Sequence, residues 1–157
     1  MPFTPFHLGP GITLKRVAGP RMSLASFTCA QILIDLEPGI GMLRGASVLH
    51  GYSHTLAGAL LITLICVAIK RWPERALGVR ISARSALAGA LAGTLSHLLL
   101  DGIVHQDIRP WWPLTEANPL QGALSWEGTE ALCLVLALPA LFWIPEGWRR
   151  LRAMPWR

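Results

Sequence analysis

Charge and cysteine are both scarce in this sequence, and each shortage narrows what the chain does. Only 15% of its 157 residues are Asp, Glu, Lys or Arg, against about 25% in a soluble domain. With a mean hydropathy of +0.44, that shortfall points to lipid as the surrounding solvent. The three cysteines, Cys29, Cys66 and Cys133, stand far apart in apolar runs and form no Cys-x-x-Cys pair. They predict neither a zinc knuckle nor a disulfide framework, and read as small buried hydrophobes. No basic stretch precedes an apolar one at the N-terminus, so a cleaved signal peptide is not expected. No internal repeat or low-complexity tract stands out. The net charge is +5, but the cations flank apolar runs and do not interleave with aromatics, so nucleic acid is not an expected partner.

What is present is a series of apolar segments with helix-boundary signals. The fold class predicted is all-α: a polytopic membrane helical bundle, one domain over residues 1–157, with four long apolar helices and a short N-terminal one. The helices are expected at about 4–17, 23–36, 48–70, 83–103 and 126–144. Ser23 suits an N-cap, Pro38-Gly39 suits a helix end, and Pro139 predicts a kink in the last helix. From Gly45 to Ile69 there is no Asp, Glu, Lys or Arg. Residues 70–84 read as a basic connector. Several apolar runs fall short of the ~20 residues a span needs, which suggests a polar site dipping into the membrane from one face.

Antiparallel helices would send the cations to one side. Lys15, Arg16, Arg21, Lys70, Arg71, Arg75, Arg80, Arg84, Arg149, Arg150, Arg152 and Arg157 make 12 of the 14 Lys and Arg residues; only Arg44 and Arg109 would lie opposite. By the positive-inside rule this predicts a multi-pass membrane protein with its C-terminus cytoplasmic.

The histidines and acids collect on the other side. His50 and His54 are four apart, one turn on a helix face, a spacing that can grip a metal ion. His97 and Asp101 repeat it, in line with Gly89 and Gly93 below them, whose small size lets another helix approach. Gly58 follows His54 in the same way, which suggests that the two faces meet. Asp35 and Glu37 end the second helix, with Gln31 one turn before Asp35. His7 begins the first helix and would meet Asp35. The candidate metal shell is therefore His7, Asp35, His50, His54, His97 and Asp101. Mixed His and carboxylate ligation suits zinc first, with manganese or iron as alternatives, and the donor count allows one or two ions.

Four segments in order also resemble a bacterial inner-membrane family of metal-dependent hydrolases, the LexA-regulated YdjM type. They are Phe6-His7-Leu8-Gly9, Ile34-Asp35-Leu36-Glu37-Pro38, His50-Gly51-Tyr52-Ser53-His54-Thr55 and Ser96-His97-Leu98-Leu99-Leu100-Asp101. The run Pro110-Trp111-Trp112-Pro113-Leu114 is similar to that family's WP segment. The resemblance implies a small multi-span membrane protein with a hydrolytic metal centre. Two positions depart from the family pattern: Glu37-Pro38 where Asp-His is frequent, and Gly51 where an arginine is frequent.

The function expected is hydrolysis of an amphiphilic substrate, a lipid phosphoester or acyl bond, by metal-activated water at the outer membrane face. Glu37 is the candidate general base, with His105 or Asp107 as proton donor to the leaving group. Membrane lipid, a small amphiphilic substrate and a second copy of the chain are the expected partners. A non-catalytic bundle that binds a metal or a partner is the alternative. A haem held between His50 or His54 and His97, and a proton-relaying transporter, are further readings.

Overall fold

In the computed structural model the described residues, 4–141, are mostly helical, with irregular chain at 44–51 and 105–125 and no β-strand among them. A 3₁₀ turn over Thr4–His7 leads into α1, Leu8–Ala18, and a second 3₁₀ turn, Gly19–Arg21, follows. Then come α2, Leu24–Ile34; α3, Leu36–Leu43; a 3₁₀ turn at Tyr52–His54; α4, Leu56–Ala68; α5, Arg71–Leu77; α6, Ala83–Val104; and α7, Trp126–Ala137. The expected end of the last helix at Ile144 and the basic tail beyond it lie outside the described residues.

Hydroxyl side chains set several helix starts. Ser23, Thr55, Ser82 and Ser125 each accept a backbone N–H of the first turn, from Ser26, Gly58, Ser85 and Gly128, which satisfies a donor the helix leaves orphaned. Thr55 is why the helix expected from residue 48 begins only at Leu56. The helix expected over 23–36 breaks at Asp35, which ends α2 and starts α3. Pro38 therefore stands in the first turn of α3, where its missing N–H costs nothing, and does not end a helix. Part of the basic connector forms α5, with Pro73 likewise near its start. At the other end α7 stops at Ala137, Leu138 and Pro139 form a turn, and helix resumes at Ala140 and Leu141, so the last apolar run is interrupted at Pro139.

Among the described residues only α6, 22 residues and about 33 Å long, is by itself long and apolar enough to cross a membrane; α4 and α5, bent by 54°, would make a second, broken span. The four long helices expected are thus one long helix and several short ones, because caps and Gly or Pro breaks interrupt the apolar runs.

The central contact is α2 against α6. Their N-terminal ends meet where the Ser23 N–H donates to the Ser85 carbonyl, 2.9 Å, and Gln31 reaches Gly93 further along, so the two helices run parallel. A Cβ at Gly89 would collide with the Ser23 carbonyl, and one at Gly93 would lie 2.8 Å from that of Phe27. These glycines therefore admit α2, not α4. Gly58, expected to face α6, instead gives room to the backbone of Tyr52. The antiparallel α4 joins α6 through a hydrogen bond between the buried Thr63 and Thr94 hydroxyls, 2.9 Å. Gly9 admits the Cys133 carbonyl, which brings α1 against α7.

Polarity is inverted relative to a water-soluble bundle. Gln31, Thr94 and His97 are 0% exposed, whereas Leu61, Leu64 and Val135 are 59%, 62% and 59% exposed. Apolar side chains on the outside and hydrogen-bonded polar ones inside suit a lipid surrounding, where buried polar groups must find internal partners.

Candidate metal centre

All five histidines of the chain gather where α1 begins, α2 and α6 end, and α4 begins. Their rings form a chain of contacts: His7 to His97 with centroids 4.4 Å apart, His97 to His54 at 5.3 Å, His54 to His50 at 4.7 Å and His50 to His105 at 4.2 Å. Asp101 lies among them, 3% exposed. Taking a carboxylate out of water costs several kcal/mol unless it is compensated.

One donor set comprises Asp35, His54, His97 and Asp101, whose ligand atoms all lie within 4.8 Å of one another. His97 Nε2 is 3.1 Å from Asp35 Oδ1 and 3.1 Å from Asp101 Oδ2; His54 Nε2 is 3.5 Å from Asp101 Oδ2 and 4.0 Å from Asp35 Oδ1. Ligands about 2.0–2.1 Å from a tetrahedral ion stand about 3.3 Å from one another, so these spacings match a shared ion. They match hydrogen bonding less well. Nε2 of His7, His54, His97 and His105 and Oδ1 of Asp101 are buried without an aligned hydrogen-bond partner. Close approach without alignment is the geometry of atoms aimed at a common point. Two carboxylates with neutral imidazoles also balance a divalent charge. The residues fit a divalent metal ion.

The tautomers follow from the partners. The Gly93 carbonyl can only accept, so it receives the Gln31 amide N–H at 3.1 Å. Gln31 Oε1 then faces His97 Nδ1, which must carry the proton. That leaves His97 Nε2 with its lone pair toward the donor set. Gln31 is thus a positioning group of the kind that orients metal-ligating histidines. Its sequence signal was its place one turn before Asp35, but glutamine is no strong ligand and drew no role.

His50 is held in the same way. Its Nδ1 donates to Asp107 Oδ1 at 2.8 Å, and Asp107 Oδ2 accepts the backbone N–H groups of Leu49 and His50, each at 3.1 Å. Burial pushes the Asp107 carboxyl up, but the His50 backbone and imidazole outweigh it and hold it down at about 2. Asp107 therefore stays ionised and accepts, which conflicts with a proton-donor role. Burial likewise pulls the His105 imidazole down to about 4, so it offers a lone pair at neutral pH in place of a proton.

Glu37 is also committed. Its Oε1 accepts the N–H of Tyr52 at 3.1 Å and its Oε2 that of Ser53 at 2.6 Å. Burial raises its carboxyl, but these bonds more than offset that and leave it below its ordinary range. It clasps the segment that carries His50 and His54 and is a poor general base. A Cβ at position 51 would strike its carboxylate, which accounts for Gly51. Because of this clasp His50 and His54 do not share a helix face: His50 lies in irregular chain and His54 in the 3₁₀ turn. His7, expected to meet Asp35, sits against Asp101 Oδ1 at 3.2 Å and His97 Nδ1 at 3.1 Å.

A cavity of about 240 Å³ opens beside the cluster, walled by His50, Tyr52, Asp107, Arg109 and Trp112. The Tyr52 and Trp112 rings meet edge-on at 5.1 Å, and Arg109 is paired with Glu116 at 2.8 Å.

The model of the YdjM inner membrane protein family matches residues 13–155. The chain belongs to the YdjM inner membrane protein family. The YdjM match takes in Asp35, His50, His54, His97, Asp101 and His105, and starts after His7. No curated protein and no solved structure matches the chain.

Proposed function

We propose that this YdjM-family chain is a multi-pass inner-membrane protein with a divalent metal centre that hydrolyses an amphiphilic substrate at the outer membrane face. The observation that carries the reading is the convergence of Asp35, His54, His97 and Asp101, with Nε2 of both imidazoles and Oδ1 of Asp101 buried and unaligned. Zinc is the first candidate for a tetrahedral set of two imidazoles and two carboxylates. An ion held there would supply Lewis acidity and a water acidified toward neutral pH.

The chain's own residues bind and orient. His54, His97, Asp35 and Asp101 would hold the ion, Gln31 keeps the His97 ring turned toward it, and His7 backs Asp101. Glu37 fixes the segment that carries His50 and His54. The cavity joins an aromatic pair to Arg109, which suits an anionic head with an apolar body, such as a lipid phosphoester. The cations at the opposite end of the bundle support a cytoplasmic placement of that end, and a second copy of the chain could cover part of the apolar exterior.

Purified in detergent, the protein is expected to retain a stoichiometric divalent transition metal, to lose it in His97→Ala and His54→Ala, and to release a lipid phosphoester headgroup only when loaded. Absence of bound metal in the wild type, or full retention in both variants, would overturn the metal centre. Complete burial of His54 and His97 favours a second reading, in which the ion cross-links α4 and α6 without catalysis. Melting on chelation with no turnover of lipid phosphoesters would select it.

A further inference from the structure

We propose that a second divalent ion binds beside the first, held by His50, Asp101 and His105, so that Asp101 serves two cation positions and the centre is binuclear. The proposal rests on the reading of the first donor set as a metal site, and it assigns His105 to coordination.

Four observations support it. The ligand atoms of His50, Asp101 and His105 lie within 4.8 Å of one another and form a set that shares only Asp101 with the first. His105 Nε2 is buried with no hydrogen-bond partner, an unfavourable arrangement unless something else satisfies the nitrogen. His50 Nδ1 is committed to Asp107, so Nε2 carries the lone pair, and that nitrogen faces Asp101 Oδ2 at 4.0 Å. Finally, His50 and Asp107 form a wall of the cavity, whereas His54 and His97 are sealed. A second ion at His50 would stand where a substrate enters, while the first lies behind it. One carboxylate shared between two ions is a common way to hold them about 3.5–4 Å apart.

Charge points the same way. Asp35 and Asp101 balance one divalent ion. Asp107 adds a further carboxylate behind His50, oriented by two backbone N–H groups. That is the arrangement by which an acid orients a metal-bound imidazole and raises its basicity. Without an ion at His50 it has no such work to do.

The test is metal stoichiometry on the full chain in detergent, stripped with a chelator and titrated with Co²⁺, read by visible absorption and by elemental analysis. Two ions per chain are expected for the wild type. His105→Ala is expected to bind one, with the spectrum of the first set retained. Asp35→Asn is also expected to bind one, with a different spectrum, and Asp101→Asn to bind neither ion tightly. His105→Gln, closer in volume beside Trp126, checks that any loss in His105→Ala is not a loss of fold, which the elution profile of each variant monitors. One ion in the wild type, kept by His105→Ala and lost by Asp35→Asn, would overturn the second site and leave the first intact. Two ions kept by both His105 variants would overturn the assignment of His105. No ion in the wild type would overturn both sites.

Discussion

At the end of the bundle where α2 and α6 begin, each lysine has neighbours close in sequence. Lys15 Nζ donates to the carbonyls of Gly19 and Met22, 2.7 Å each, and Lys70 Nζ reaches Glu74 Oε1 at 3.2 Å and the Ile81 carbonyl at 2.8 Å. At the end where α2 and α6 finish, Asp101 and four of the histidines are buried, and partners come from far along the chain: His7 with Asp101, Asp35 with His97, His50 with Asp107. The first end manages charge locally, with half-buried groups and nearby hydrogen-bonded carbonyls. The second draws desolvated charge together from five segments and leaves donor atoms without aligned partners. Proteins tolerate such a cost mainly where it serves binding or chemistry, so the contrast separates a solvated anchor from a working site.

Substitutions can break this contrast or sharpen it. Gly89→Leu should have the largest effect, because it drives α6 from the Ser23 carbonyl and disturbs both ends together. Overpacking of this kind costs about 1–3 kcal/mol or more, and the protein should elute as aggregate or melt well below the wild type in detergent. Glu37→Ala should act on the buried end alone. Release of the Tyr52 and Ser53 N–H groups loosens the segment that carries His50 and His54, and loss of such a support typically weakens metal binding about 10–100-fold, measurable by competition with a chromogenic chelator. Thr63→Val removes a buried hydroxyl that bonds Thr94, while Thr94 keeps the Leu91 carbonyl at 3.3 Å. A loss of about 1 kcal/mol is expected in thermal melts, with metal content unchanged. Lys70→Ala should be the mildest: a small shift in melting temperature and no change in bound metal. A loss of metal in Lys70→Ala would join the two ends and undo the contrast.

Local signals made some elements legible and left others obscure. The apolar pattern placed α6 almost to the residue, 83–103 against Ala83–Val104, while the first helix expected over 4–17 is a 3₁₀ turn followed by α1. The break at Asp35 and the late start of α4 were hidden, because both depend on contacts across the chain, above all the grip of Glu37 on Tyr52 and Ser53. That contact also explains the His50-x-x-x-His54 pair. Its spacing drew attention to a helix face that does not exist, yet the two rings still meet, held by a distant carboxylate. Gly89 and Gly93 correctly marked a close approach, but nothing local names the partner, and it proved to be α2. Asp107 and His105 lay in a polar stretch where proton transfer was the natural reading. Only the placement of their nitrogens and oxygens gives them to orientation and coordination.

The parallel course of α2 and α6 has an electrical consequence. Both helices finish at the histidine cluster, so the negative poles of two peptide dipoles, each worth roughly half an elementary charge, point at the same small volume, while α1, α3 and α4 begin there and turn their positive poles toward it. The helix poles therefore largely offset one another, and the pull on a positive ion is left to the carboxylates of Asp35 and Asp101.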